Sequence, residues 1–142
     1  MFRQILVPID LEETELSGRA IAVAEDLAAH YGAQLTALTV IPDFSNAMVA
    51  SYFPEDAIKK AHDEICGELR KFVDQRFKNP TKVYCAVGEG SPRKVIVRHV
   101  KEHSIDLVVM PARKTDISKM FLGSNSSHVV DHARCSVLVV KN

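Results

Sequence analysis

Two stretches of this sequence carry residue types suited to holding phosphate. Pro111-Ala112-Arg113-Lys114 follows an apolar run directly, and Gly123-Ser124-Asn125-Ser126-Ser127 opens a segment of helical character. The first turn of a helix has N–H groups without intrahelical acceptors and lies at the positive end of the helix dipole, so it attracts anions. Gly123 permits close backbone approach, and the Ser124 and Ser126 hydroxyls add donors. Arg113 and Lys114 can neutralise charge from the opposite side. The competing reading is a serine-capped helix behind a solvated basic loop.

Asp10 ends the first apolar run, Ile5-Leu6-Val7-Pro8-Ile9. A carboxylate there can accept hydrogen bonds from ribose hydroxyls or help hold a phosphate-bound divalent ion; it can equally cap the next turn. Other motifs carry less. Gly88-Glu89-Gly90-Ser91-Pro92-Arg93 imitates a dinucleotide fingerprint, but Arg93 replaces the third glycine and the acidic residue expected further on is missing. No G-x-x-x-x-G-K-S/T stretch occurs, which excludes a conventional P-loop. His99-Val100-Lys101-Glu102-His103 matches an inverted zinc-peptidase pattern, yet His128 and His132 repeat the same spacing without the motif, and both pairs read as solvated helix faces. No G-x-S-x-G elbow presents a serine nucleophile.

These residues need elements to position them. Ile5 to Ile9 is a short continuous apolar run, the pattern of a strand covered on both faces. Thr14 can cap a helix carrying Leu16, Ala20, Val23, Ala24 and Leu27, and Gly32 ends it. Leu35 to Ile41 reads as a second strand. Residues 43–53 lack a clear period and read as a mobile loop or lid. Pro54-Glu55 opens a long helix to about Phe77, with Ile58, Ala61, Ile65, Leu69, Phe72 and Val73 as its buried stripe. Lys82 to Val87 is a third strand, and Ser91-Pro92 starts a helix holding Val95, Ile96 and Val100. Ile105 to Met110 is a fourth strand, residues 111–122 a loop, and Ser136 to Val140 a fifth strand after the last helix. Alternating strands and helices of this kind build a doubly wound α/β layer, flavodoxin-like or Rossmann-like, with a parallel sheet between helices. In such sheets ligands sit beyond the carboxyl ends of the strands where strand order reverses, which points to Asp10 and to the loop between Met110 and Ser126.

Length and composition set the bounds. The 142 residues suit one domain, and 46% hydrophobic with 25% charged residues is ordinary globular usage. Eighteen basic residues balance eighteen acidic ones, and aromatic residues are 6% of the chain. Nucleic-acid binding therefore lacks both a basic excess and a platform for stacking bases. No apolar run approaches the roughly 18 residues of a membrane span, and the first residues lack a secretory pattern. Cys66, Cys85 and Cys135 are widely spaced with no CxxC pair, as in reduced, cytoplasmic proteins.

Taken together, these residues resemble the universal stress protein family over essentially the whole chain. The likeness begins at Ile5-Leu6-Val7-Pro8-Ile9-Asp10, runs through Leu38-Thr39-Val40-Ile41 and includes Gly90-Ser91-Pro92. It is densest in Asp106-Leu107-Val108-Val109-Met110, Leu122-Gly123-Ser124 and Cys135-Ser136-Val137-Leu138-Val139-Val140. The form is most similar to the short, single-domain bacterial members of the F and G type. The resemblance implies an open five-stranded parallel sheet of order 3-2-1-4-5, of the adenine nucleotide alpha hydrolase-like kind, with helices on both faces. It also implies a homodimer pairing Ser136 to Val140 across a two-fold axis, with a tetramer left open. Its ATP-binding members carry G-x-x-G, nine residues, then G-S/T. Here Pro111 and Lys114 stand at the first two glycines, eight residues separate Lys114 from Gly123, and Gly123-Ser124 are intact.

The resemblance implies a site for ATP, or for AMP or ADP. Pro8, Ile9 and Asp10 would lie at the end of the first strand, with Asp10 on ribose or on a magnesium–phosphate unit. Val40 would meet the adenine edge through its backbone. Met110, Pro111, Ala112, Arg113 and Lys114 would follow the fourth strand, and Gly123, Ser124, Asn125 and Ser126 would hold the phosphates. No other metal site is expected. Three functions compete: a nucleotide-dependent regulatory dimer of the stress response, a slow ATPase or self-phosphorylating protein, and a nucleotide-free interaction dimer. Hydrolysis lacks a dedicated base, so any turnover is expected to be slow.

Overall fold

A computed structural model describes residues 1–41, 47–112 and 123–141. Five strands, β1 (Gln4–Pro8), β2 (Gln34–Ile41), β3 (Val83–Glu89), β4 (Leu107–Pro111) and β5 (Ser136–Val140), pair in parallel in the order 3-2-1-4-5. The helices are α1 (Gly18–Tyr31), α2 (Ala47–Tyr52), α3 (Glu55–Arg76), α4 (Pro92–Glu102) and α5 (Ser124–His132).

The uninterrupted apolar runs are explained by covering on both faces. Successive strand residues point to opposite sides, so Ile5 and Val7 of β1 join Leu107 and Val109 of β4 in one core, against α1 and α3. Leu6, Val108 and Met110 point the other way and pack with Val95, Ile96 and Val100 of α4 and Val129 of α5. Outside the strands, the Asp106 carboxylate fixes the register of β1 against β4. It accepts hydrogen bonds from the Arg3 and Gln4 N–H groups at 2.8 and 3.1 Å.

Several local expectations change. Thr14 begins a separate 3-10 turn, Thr14–Ser17, and α1 starts only at Gly18, with no side-chain cap on either. Gly32 does end α1, at φ 65°. Ser91 and Pro92 open α4 as read, although Ser91 makes no capping hydrogen bond. In α3 the buried stripe is confined to Leu69, Phe72 and Val73. Ile58, Ala61 and Ile65 are half-buried because this end of the helix lies toward the cleft, which Ile65 lines. The stretch read as a loop or lid contains α2, with Met48 and Tyr52 exposed; residues 42–46 lie outside the described residues. β3 runs on to Glu89, which takes Gly88 into the sheet opposite Val40.

Candidate functional site

The strand order reverses at β1, between β2 and β4, and a cleft of about 430 Å³ opens beyond the carboxyl ends of these strands. Its β1 wall is built by backbone pairing carried one residue past the strand. The Ile9 N–H donates to the Leu38 carbonyl at 2.7 Å, and the Thr39 hydroxyl donates to the Ile9 carbonyl at 2.8 Å. Asp10 is thereby held at the rim. One of its carboxylate oxygens accepts the Glu12 N–H at 2.9 Å and its carbonyl accepts the Glu13 N–H at 3.1 Å, so it does close the next turn. That turn brings Glu12 and Glu13 to the same rim, which concentrates negative charge on this side.

The facing wall is the start of α5. Gly123 is the N-cap, and the first bond of the helix runs from the Ser127 N–H to the Gly123 carbonyl. Ser124, Asn125 and Ser126 therefore present N–H groups with no intrahelical acceptor, and all three residues line the cleft. The two serine hydroxyls are not equivalent. Ser124 is exposed, whereas Ser126 is 3% exposed and its hydroxyl donates to the Pro111 carbonyl at 3.3 Å, fastening α5 to the end of β4.

Pro8, Ile9, Asp10, Val40, Met110 and Pro111 join the α5 residues around the cleft, in accord with their position at the strand ends. Ala112 does not line it; its N–H donates to the Val140 carbonyl of β5 at 3.0 Å. Arg113 and Lys114 lie outside the described residues. The sequence reading missed Thr39, Glu12, Glu13, Ile65 and Ile96, all of which line the cleft. Thr39 carried a signal, being a hydroxyl inside an otherwise apolar strand.

The glycines at the end of β3 and just past it serve packing and turning. A Cβ on Gly88 would lie 2.4 Å from Val95 Cγ1, so β3 and α4 approach where only hydrogen fits. Gly90 sits at φ 125° and its N–H donates to the Ile41 carbonyl at 3.0 Å, turning the chain from β3 into α4 beside the cleft. Their spacing reflects this turn and needs no dinucleotide fingerprint. The paired histidines stack ring on ring, His99 on His103 and His128 on His132, each with centroids 4.0 Å apart. Among the described residues no group of three or more His, Cys, Asp or Glu side chains is arranged to hold a metal. His99 is less solvated than expected. Partial burial, with His103 and Arg98 adding to it, lowers its pKa, opposed by Glu102. Burial likewise pushes the Cys85 and Cys135 thiols up. No helix among the described residues is long and apolar enough to cross a membrane.

The sequence model of the universal stress protein family matches residues 1–141. The chain belongs to the universal stress protein family. This universal stress protein is 34% identical over 145 residues to Universal stress protein G of Salmonella typhimurium, covering 99% of this chain and all of that one. Among solved structures it is similar to the universal stress protein UspA from Lactobacillus plantarum, at TM-score 0.67 and 27% identity, covering 98% of this chain and 97% of that one. It shares the fold of a universal stress protein crystallised in complex with cAMP, at TM-score 0.73 and 23% identity over 98% of this chain and 97% of that one.

Proposed function

We propose that this chain, as a single universal stress protein domain, binds an adenine nucleotide in the cleft and acts as a nucleotide-dependent regulatory dimer in the stress response. The observation that carries the reading is the convergence of the free N–H groups of Ser124, Asn125 and Ser126 on the sheet's switch point. These donors suit phosphate oxygens. Leu38, Val40, Ile41, Ile65 and Ile96 offer apolar surface to a base, and a cleft of about 430 Å³ falls in the range of small-molecule sites. The cAMP held by a structural neighbour supports the same ligand class. Dimer formation is supported by the sheet edge at β5, where Leu138 is 38% exposed. Bound nucleotide at 100 times its dissociation constant would stabilise the occupied form by about 2.7 kcal/mol, enough to bias a conformational equilibrium.

The acidic rim favours one refinement. Asp10, Glu12 and Glu13 would repel a bare triphosphate but suit ribose hydroxyls or a magnesium ion carried by the nucleotide. A magnesium nucleotide also makes slow hydrolysis or self-phosphorylation the second reading. The exposed Ser124 hydroxyl is then the better phosphate acceptor, since that of Ser126 is occupied by Pro111.

Denaturing freshly purified protein and identifying released nucleotide by mass spectrometry tests the reading. Near-stoichiometric ATP, ADP or AMP is expected. No nucleotide, together with no thermal shift on adding magnesium ATP, would leave an interaction dimer in its place.

A further inference from the structure

On the α4/α5 face of the sheet, a second cleft of about 310 Å³ shares no lining residue with the first. Lys94, Arg98 and Lys101 line it from α4, His128 and His132 from α5, and Arg134 from the turn into β5. Val97 and Val100 form an apolar surface within it. The chain as a whole carries no net charge, so this concentration of cations is local. Within α4 four basic residues, Arg93, Lys94, Arg98 and Lys101, stand against Glu102 alone, and Glu102 approaches Arg98 only to 4.0 Å at the exposed surface. We propose that this cleft is a binding site for a phosphorylated small molecule with a flat apolar body. The lysines and arginines would hold the phosphate, and Val97 with the stacked imidazoles of His128 and His132 would receive the body.

The charge environment of His128 agrees with this. Partial burial, then the positive charges of His132, Arg93 and Lys94, lower its pKa from the ordinary 6.5, against which Asp131 acts. Across the cleft Arg98 and Lys101 face it from α4, and Arg134 follows α5. An anion seated among these cations would cancel part of the field, so binding should raise the His128 pKa.

The site stands independently of the nucleotide reading, because α4 and α5 use different faces for the two clefts. Pro92, Ile96 and Ser124 to Ser126 line the first, whereas Lys94, Val97, Arg98, His128 and His132 line the second. Two-dimensional amide NMR can separate them, with 1-naphthyl phosphate as probe and inorganic phosphate as the control lacking an apolar body. Saturable shifts are expected around Lys94, Arg98, His128 and His132, tighter for the naphthyl ester, with an upward move of the His128 titration. The double change Lys94→Gln with Arg98→Gln should weaken the ester about tenfold or more, while Gly123→Ala leaves it unchanged. Both altered cations are exposed, so folding should survive, and the amide spectrum itself checks that. Linear, non-saturating shifts at millimolar ester, shifts confined to the first turn of α5, or equal binding by the double variant would each overturn the proposal.

Discussion

The Thr39 hydroxyl donates to the Ile9 carbonyl at 2.8 Å, tying the end of β2 to the residue that precedes Asp10. Thr39 is only 4% exposed, so this carbonyl has no ready replacement from water. Thr39→Val keeps the shape and removes the donor, and the orphaned acceptor should cost about 1–3 kcal/mol in urea denaturation. Since Asp10 would lose its anchor, adenine-nucleotide affinity should fall as well. Wild-type stability in the valine variant would mean the bond contributes nothing to holding the rim.

Gly88 and Val95 form a pair in which one side chain must be missing. A methyl at position 88 would meet Val95 Cγ1 at 2.4 Å, so Gly88→Ala should destabilise the fold by about 1–3 kcal/mol. The same substitution in a Val95→Ala background should cost markedly less, because the space opposite is vacated. Additive costs in a double-mutant cycle would show that the clash is relieved elsewhere.

Gly123 is the N-cap of α5 at φ −61°, a conformation open to any residue. Gly123→Ala should cost about 1 kcal/mol of stability, because alanine is the poorer N-cap, while reducing magnesium ATP affinity about tenfold by crowding phosphate at the helix start. Isothermal titration separates the two readings: unchanged affinity would remove the start of α5 from the nucleotide site.

His99 makes stability depend on pH. Its folded pKa lies below the ordinary 6.5, so below that pH the unfolded chain binds more protons than the folded one. The contribution is complete above about pH 6.5 and is lost as the pH falls through the lowered folded value. Comparing urea midpoints at neutral pH and at about pH 5.5, His99→Gln should lose less stability on acidification than the wild type. Parallel losses in both proteins would assign the acid sensitivity to other groups.

Leu138 stands 38% exposed on β5, an edge strand of the sheet, whose outer backbone groups have no strand neighbour among the described residues. Charged edge residues block strand pairing between molecules. On the proposed pairing through β5, the wild type should sediment as a dimer and Leu138→Lys as a monomer, with the far-ultraviolet dichroism unchanged. A variant that still sediments as a dimer would put the interface somewhere other than β5.

Much of this architecture was legible because its cause is written in neighbouring residues. Ser136 to Val140 is β5 as read, and the runs at Ile5 and Leu107 are apolar because two helical layers cover them. α2 left no such trace. Met48 and Tyr52, four residues apart on one side of it, are both exposed, so among its described side chains none marks a helical period by burial. The helix start at Gly123 was legible from its small polar residues, but the division of labour between Ser124 and Ser126 was not. That division depends on where the Pro111 carbonyl ends up, which is a fact of tertiary packing. Ala112 illustrates the same point, since its N–H turns to Val140 and away from the cleft.

The bond from Ala112 to Val140 also sets an order of events during synthesis. The stem of the segment that leaves β4 receives this partner only once β5 has emerged from the ribosome and docked beside it. Asp10, by contrast, is made near the beginning, and even the β1–β4 register waits on Asp106, 103 residues after Arg3. A ligand bridging the β1 rim and α5 therefore cannot template the early growing chain. It can reward only a nearly finished one, so occupancy of the cleft would act as a stamp of completed folding rather than as an aid to its first steps.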